Sequence, residues 1–99
     1  MADERMSPAD AERLHILLLQ IQEKFSESVG FVRDHDSDKS FESYRRVVAE
    51  LSANLMLDIQ ERLWRDFPQL RPEFLKGPYK IDPKIYEPVF YKLRDPNGA

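Results

Sequence analysis

The sequence contains no cysteine, only three glycines and no long uncharged hydrophobic stretch. Without cysteine the chain can form neither a disulfide nor a thiolate metal site, which is typical of proteins in a reducing compartment. A membrane-spanning helix needs about 20 consecutive apolar residues, and no stretch of this chain approaches that length. The first eight residues are polar and lack the apolar core of a signal peptide. We therefore expect a cytoplasmic protein with no membrane partner.

Residues that carry catalytic or metal chemistry are also scarce. The only imidazoles, His15 and His35, would lie about 30 Å apart along one helix at ~1.5 Å per residue, so one chain cannot bring both to a single metal ion. Asp34, His35 and Ser37 are residue types found in nucleophilic triads. However, a polar loop offers neither the buried pocket nor the oxyanion donors that such chemistry requires. The sequence thus predicts no catalytic residue, no cofactor and no metal site, and we expect a protein that is not an enzyme.

The acidic loop between the two predicted helices partly resembles the start of a calcium-binding loop. Asp34, Asp36 and Asp38 occupy the first, third and fifth positions, where oxygen ligands suit a hard cation. Lys39 then stands where the sharp turn of such a loop needs glycine, and Arg45 stands where a bidentate glutamate is required. A cation in that last position repels the metal, so we interpret the loop as ordinary helix capping.

The strongest pattern in the sequence lies in residues 40–70. Ser40 can cap the first free N–H groups of a helix, and Pro68 ends it. The spacing predicts a helix over residues 41–67, about 40 Å long at ~1.5 Å per residue. Its apolar side chains recur every three or four positions, the period of one helical face; they are Phe41, Tyr44, Val48, Leu51, Leu55, Ile59 and Leu63.

A helix over about residues 8–33 is predicted before it. Ser7 is a suitable cap, Pro8 suits the first helical position, and Asp10 supplies an acid in the first turn. Gly30 weakens the last turn, so we expect the chain to leave the helix a few residues early. The apolar positions of this helix are again three or four apart; they are Leu14, Leu18, Ile21, Phe25 and Val29.

The polar link between the helices is short, which favours an antiparallel helical hairpin in an all-α domain that spans residues 1–99. Two runs of consecutive apolar residues make each helix apolar on every side for about one turn. A hairpin buries only one side of each helix, so these runs predict an oligomer interface. We expect a homodimer that forms a four-helix bundle through Ile16, Leu17, Leu18, Leu19, Leu55, Met56 and Leu57.

The C-terminal arm, residues 68–99, has too many prolines for a long element. After Asp82 we expect either two single turns, the second beginning at Pro88, or an extended segment. The arm is nevertheless rich in aromatic side chains, which would not be left in water. Either it covers its own hairpin, which we favour, or it binds a partner. Trp64 and Phe67, at the end of the second helix, are most simply core residues, and the alternative is that they anchor a partner. The candidate residues for a lid or a partner site are therefore Trp64, Phe67, Tyr86, Phe90 and Tyr91.

The net charge of the chain and its distribution argue against some functions. The net charge is −3, and the arginines of the second helix are interleaved with acids, so the sequence argues against nucleic acid as the main partner. The function predicted is that of a small non-enzymatic protein–protein interaction module, such as an adaptor, chaperone-like factor, inhibitor or regulatory subunit. Two alternatives stay open: a regulatory protein associated with nucleic acid, and a small enzyme with its site at an oligomer interface.

Overall fold

The computed structural model describes residues 5–93. Two long helical rods lie antiparallel, and an arm of short turns follows them. No strand occurs among the described residues, so the predicted all-α helical hairpin is confirmed. This part of the chain measures 54 × 26 × 23 Å, with a radius of gyration of 15.9 Å, whereas a compact domain of 100 residues would have about 13 Å. The molecule is therefore elongated along the hairpin.

The first rod is α1 (Pro8–His35). Ser7 caps it as predicted, because its Oγ accepts a hydrogen bond from the Asp10 N–H at 3.1 Å. The expected early exit at Gly30 was wrong, since the helix continues to His35. Gly30 is buried against the arm, where a Cβ would come within 2.8 Å of Leu93 Cδ2. The glycine thus allows close packing and does not mark the end of the helix.

The second rod consists of α2 (Asp38–Asn54), a π-helical turn (Leu55–Gln60) and α3 (Glu61–Asp66), which follow one another without a break. The predicted cap, Ser40, was wrong: Ser37 has the extended backbone of a cap, and its Oγ accepts from the Ser40 N–H at 3.1 Å. Asp36 already closes α1 through its N–H, which donates to the Val32 carbonyl at 2.9 Å. The link between the rods is therefore shorter than residues 34–40.

The π-helical turn was not predicted, because the apolar spacing continues through it. Its hydrogen bonds span five residues, as in the bond from the Glu61 N–H to the Met56 carbonyl. Gln22 of α1 bridges the two ends of this turn. Its side-chain amide donates to the Ser52 carbonyl and to Gln60 Oε1, both at 2.9 Å. The side-chain bridge secures the register of the two rods at the point where the hydrogen-bond pattern changes.

The hydrophobic core lies at the end of the hairpin away from the link. At that end the first half of α1 packs against α3 and against the first turn of the arm. The chain turns back across the rods at Pro68. Leu14, Ile21, Leu55 and Met56 pack against this core without being fully buried. Its fully buried members are Ala11, Leu18, Leu63, Trp64, Phe67 and Leu70.

The arm contains three short 3-10 turns, Pro68–Leu70, Glu73–Leu75 and Pro83–Tyr86. Around the second turn the chain closes a loop, with the Tyr79 N–H donating to the Arg71 carbonyl at 2.9 Å. Gly77 is required there, because a Cβ would overlap that same carbonyl. The first of the two expected turns forms after Asp82, and the second, expected at Pro88, does not. Residues 94–99 of the predicted arm lie outside the described chain.

Candidate functional site

The predicted dimer residues divide into a buried and an exposed group. Leu18 and Leu19 are buried, whereas Leu17 is 49% exposed and Leu57 is 64% exposed. Ile16, Leu55 and Met56 are half-buried. One turn of each rod is thus apolar on every side, as the sequence predicts, but the hairpin and the arm cover only part of it.

A strip of apolar side chains lies along one side of the hairpin. Positions on the same rod are mostly three or four apart, so they share one side of a helix. The Tyr44 hydroxyl donates to Ser28 Oγ at 2.9 Å, which brings the strip on α2 beside the strip on α1. Within the π-helical turn, Ile59 lines a shallow cleft of about 210 Å³ together with Leu14 of α1. We name the strip the lateral face; its members are Leu17, Ile21, Val47, Leu51 and Ile59.

The lateral face exposes several large apolar side chains. Leu17, Leu51 and Ile59 are each 49% exposed, and Val47 is 56% exposed. At one end the face carries both signs of charge, since Asp58, Arg62 and Asp66 line the same cleft as Ile59. Among residues 5–93, these three charged side chains form no ion pair. An apolar strip with unpaired charges of both signs suits a self-complementary contact.

The arm packs along α1 through polar contacts, most of them part-buried. Gln20 donates to the Ile85 carbonyl at 2.7 Å, and Lys24 donates to the carbonyls of Tyr86 and Pro88 at 3.1 and 2.6 Å. Each contact satisfies a backbone carbonyl that the irregular arm leaves without a regular partner. The arm therefore packs against its own hairpin.

Glu27 is the deepest of these contacts, with 1% of its surface exposed. Its Oε1 accepts from the backbone N–H groups of Phe90 and Tyr91 at 2.7 and 3.1 Å, and Lys24 lies 3.1 Å from its Oε2. Burial opposes the charge of Glu27, but the N–H donors of Tyr91 and Phe90 and the ammonium of Lys24 outweigh it and hold the pKa of this carboxyl below its ordinary value. The carboxylate therefore fixes the end of the arm.

Of the predicted lid residues, Trp64 and Phe67 belong to the core, with 3% and 6% of their surfaces exposed. Tyr86 and Tyr91 are half-buried on α1, and Phe90 remains 60% exposed. The structure thus separates a set that we predicted together. Trp64 and Phe67 complete the hydrophobic core, whereas Tyr86, Phe90 and Tyr91 pack outside it.

Trp64 contacts His15, a residue to which the sequence analysis assigned no role in the core. His15 has no exposed surface, and its Nδ1 accepts from the Trp64 indole N–H at 3.2 Å. The Tyr79 ring stands edge-on to the imidazole at 4.6 Å, and the Tyr79 hydroxyl donates to Glu12 at 2.8 Å. The sequence offered one signal, since position 15 lies four residues after Ala11 and so on the same buried side of α1. His15 holds the arm against both rods.

A cleft of about 230 Å³ opens on the other side of the hairpin from the lateral face. α1, the π-helical turn and the arm all contribute to its walls. Glu23 lies in it half-buried; burial raises the pKa of this carboxyl, Glu27 raises it further, and Lys24 opposes them. We name it the aromatic cleft; its lining residues are Leu19, Gln22, Glu23, Ser26, Met56, Gln60, Trp64, Phe74 and Tyr86.

The acidic loop is engaged in ordinary contacts. Arg33 pairs with Asp34 at 3.0 Å, and the Tyr91 hydroxyl donates to Asp34 at 2.5 Å. His35 Nδ1 lies 2.8 Å from the Phe31 carbonyl. Within residues 5–93 no three His, Cys, Asp or Glu side chains are close enough to hold a metal ion.

No helix in the described part of the chain is both long and apolar enough to span a bilayer. No protein-family model, curated protein or solved structure matches the sequence.

Proposed function

We propose that this protein is a small non-enzymatic protein–protein interaction module, located in the cytoplasm, that pairs with a second copy of itself. The observation that carries the proposal is the lateral face, with four large apolar side chains about half exposed along one side of the hairpin. A two-fold axis that brings two lateral faces together would produce a four-helix bundle, the usual way for such helices to cover their remaining apolar surface.

Charge supports the same arrangement. In a two-fold pair every residue on one copy faces a residue of the same surface on the other, so a contact needs both signs of charge in that surface. Asp58, Arg62 and Asp66 provide both signs beside Ile59 and remain unpaired within residues 5–93. The arm and the aromatic cleft lie outside this contact and stay accessible to another protein.

Light scattering over a range of micromolar concentrations tests the proposal. The wild type should have about twice the mass of the 11.7 kDa chain. Leu51→Lys and Ile59→Lys should each weaken the dimer by roughly tenfold or more, because they place a charge in an apolar contact. Val89→Lys is the matched control: Val89 is 55% exposed but lies on the arm. A mass of 11.7 kDa at every concentration, or equal effects of all three variants, would contradict the proposal.

A further inference from the structure

We propose that the aromatic cleft binds a primary alkylammonium group, supplied by a lysine side chain of a partner protein. The choice of a protein as the source rests on the proposed function, whereas the chemistry of the cleft does not. The cleft combines an unpaired carboxylate, apolar walls and aromatic rings in a volume of about 230 Å³.

The carboxylate is Glu23. It forms no hydrogen bond and no ion pair with any other residue between 5 and 93, although Lys24 is its neighbour in sequence. Lys24 is committed elsewhere, since it bonds Glu27 and two carbonyls of the arm. A half-buried carboxylate without a partner is unfavourable, which is why the pKa of Glu23 is raised by burial and by Glu27. A cation bound in the cleft would relieve this cost.

The remaining polar side chains of the cleft favour an ammonium group. Gln22 and Gln60 bond each other at 2.9 Å, so they are satisfied within the protein. Ser26 Oγ and the Tyr86 hydroxyl make no hydrogen bond with the other described residues. Together with Glu23 they provide three oxygen acceptors, and an ammonium group has three N–H donors.

The walls of the cleft suit the stem of a lysine side chain. Leu19 and Met56 form an apolar floor, and Phe74, 64% exposed, stands at the edge. Four methylene groups can lie on such a surface while the charged end reaches a polar group. Aromatic faces also attract a cation that approaches within about 6 Å, and Phe74 and Tyr86 line this cleft. The Trp64 ring also lines the cleft, but the Arg71 guanidinium already lies over it, 5.5 Å from its centroid. The arrangement thus recognises an apolar stem and a positive charge together.

The single tryptophan reports binding, because Trp64 lines the cleft. The full-length protein would be titrated with pentylammonium and with the peptide Gly-Gly-Lys-Gly-Gly, followed by Trp64 fluorescence and by NMR shifts of backbone amides. Both ligands should bind saturably in the millimolar range, as expected for ligands of this size, and shift the amides near Glu23 and Tyr86. 1-Pentanol and the Nε-acetylated peptide, which lack the charge, should bind at least tenfold more weakly.

Glu23→Gln should weaken binding of both cations by roughly tenfold or more, whereas Glu50→Gln, an exposed acid of α2, should leave it unchanged. Phe74→Ala provides a second test at an exposed position that the fold does not need. Glu23→Gln should dimerise normally, and Leu51→Lys should bind pentylammonium normally, so the two proposals fail separately. Equal binding of pentanol and pentylammonium, or no effect of Glu23→Gln, would overturn the cleft's role. Binding of pentylammonium without the lysine peptide would overturn the protein source.

Discussion

Buried polar side chains make the stability of this protein depend on pH. The Nδ1 of His15 accepts from Trp64, so the neutral ring carries its proton on Nε2, which has no hydrogen-bond partner among the described residues. Burial lowers the pKa of His15, and Glu12 opposes this only in part. The unfolded chain, with a histidine pKa of about 6.5, therefore takes up a proton more readily than the folded protein. Stability should fall as the pH drops below about 6.5.

The substitution His15→Asn tests this dependence, because asparagine keeps an acceptor near the Trp64 N–H but does not titrate. The variant should be less stable at pH 7.5 and should lose less stability than the wild type between about pH 7 and pH 5. Urea unfolding at a series of pH values gives the comparison. His35→Asn, at the other, exposed histidine, is compared in the same way. If His15→Asn keeps the wild-type slope, His15 is not the source of the pH dependence.

Two carboxyl groups also make the stability depend on pH. Glu27 does so in a lower pH range than His15, and Glu23 has the opposite effect on stability as the pH falls. The pKa of Glu27 lies below its ordinary value, so its contribution to stability is present above about pH 4.5 and is lost as the pH falls through the lower, folded-state pKa. The pKa of Glu23 is raised, so protonation in the folded protein begins at higher pH and favours the folded state as the pH drops. Comparing each histidine variant with the wild type cancels both contributions.

Glu27 should also be the most important single contact between the arm and α1. The substitution Glu27→Ala leaves the N–H groups of Phe90 and Tyr91 and the ammonium of Lys24 without their acceptor. We expect a loss of about 2–4 kcal/mol in the free energy of unfolding, measured with urea. Glu27→Gln keeps an acceptor oxygen and should lose less. Glu42→Ala, at an exposed ion pair with Arg45, is the control and should change nothing measurable. An equally small effect of Glu27→Ala would contradict the role of this contact.

At the scale of elements, the loop between residues 71 and 79 depends on one glycine. A Cβ at Gly77 would overlap the backbone carbonyl of Arg71, which cannot move without breaking the bond to Tyr79. Gly77→Ala should therefore cost on the order of 2 kcal/mol or more. Gly30→Ala is the matched control, because there the neighbouring atom is the end of the flexible Leu93 side chain and alanine favours a helix. The two variants are compared by thermal unfolding. Equal losses of stability in Gly77→Ala and Gly30→Ala would contradict this account of Gly77.

The arm as a whole should stabilise the hairpin. Deleting residues 82–99 removes the half-buried side chains of Ile85, Tyr86 and Tyr91, and burial of about half of each contributes roughly 2–4 kcal/mol. The shortened chain should keep its helical circular dichroism and unfold at lower urea concentration. Val89→Ser, at a side chain that is 55% exposed, should unfold like the wild type. Unchanged unfolding of the shortened chain would mean that the arm is not part of the stable fold.

The sequence predicted those elements whose cause is local. Apolar spacing and the Ser7 cap predicted α1, and the same spacing with Pro68 predicted the second rod. The choice of Ser37 over Ser40 could not be predicted, because both serines precede the same apolar pattern. The π-helical turn could not be predicted for a related reason. The side chain that bonds to both sides of this turn, Gln22, belongs to the other rod. Side-chain bonds to backbone groups more than 60 residues away, such as those of Lys24 and Glu27, leave no periodic signal.

At the scale of the whole molecule, the shape of the dimer distinguishes between modes of association. Pairing through the lateral face places two elongated hairpins side by side, so the longest dimension should stay close to the 54 Å of the described chain. Pairing through the tips would give about twice that length. Small-angle X-ray scattering at concentrations where light scattering finds a dimer measures this dimension. A doubled length would contradict contact through the lateral face even if the mass is that of a dimer.

The order of synthesis on the ribosome gives the contact between the arm and α1 a further consequence. Both rods leave the ribosome before the arm, and domains begin to fold from the N-terminus during synthesis. For that interval the side of α1 that later receives the arm is open to water. Its polar contact residues are Gln20, Lys24 and Glu27, which water solvates well. Phe31 lies on the same side of α1 and packs against Phe90 and Tyr91 of the arm. We therefore expect the arm, once made, to cover part of an apolar ring that the nascent hairpin leaves in water.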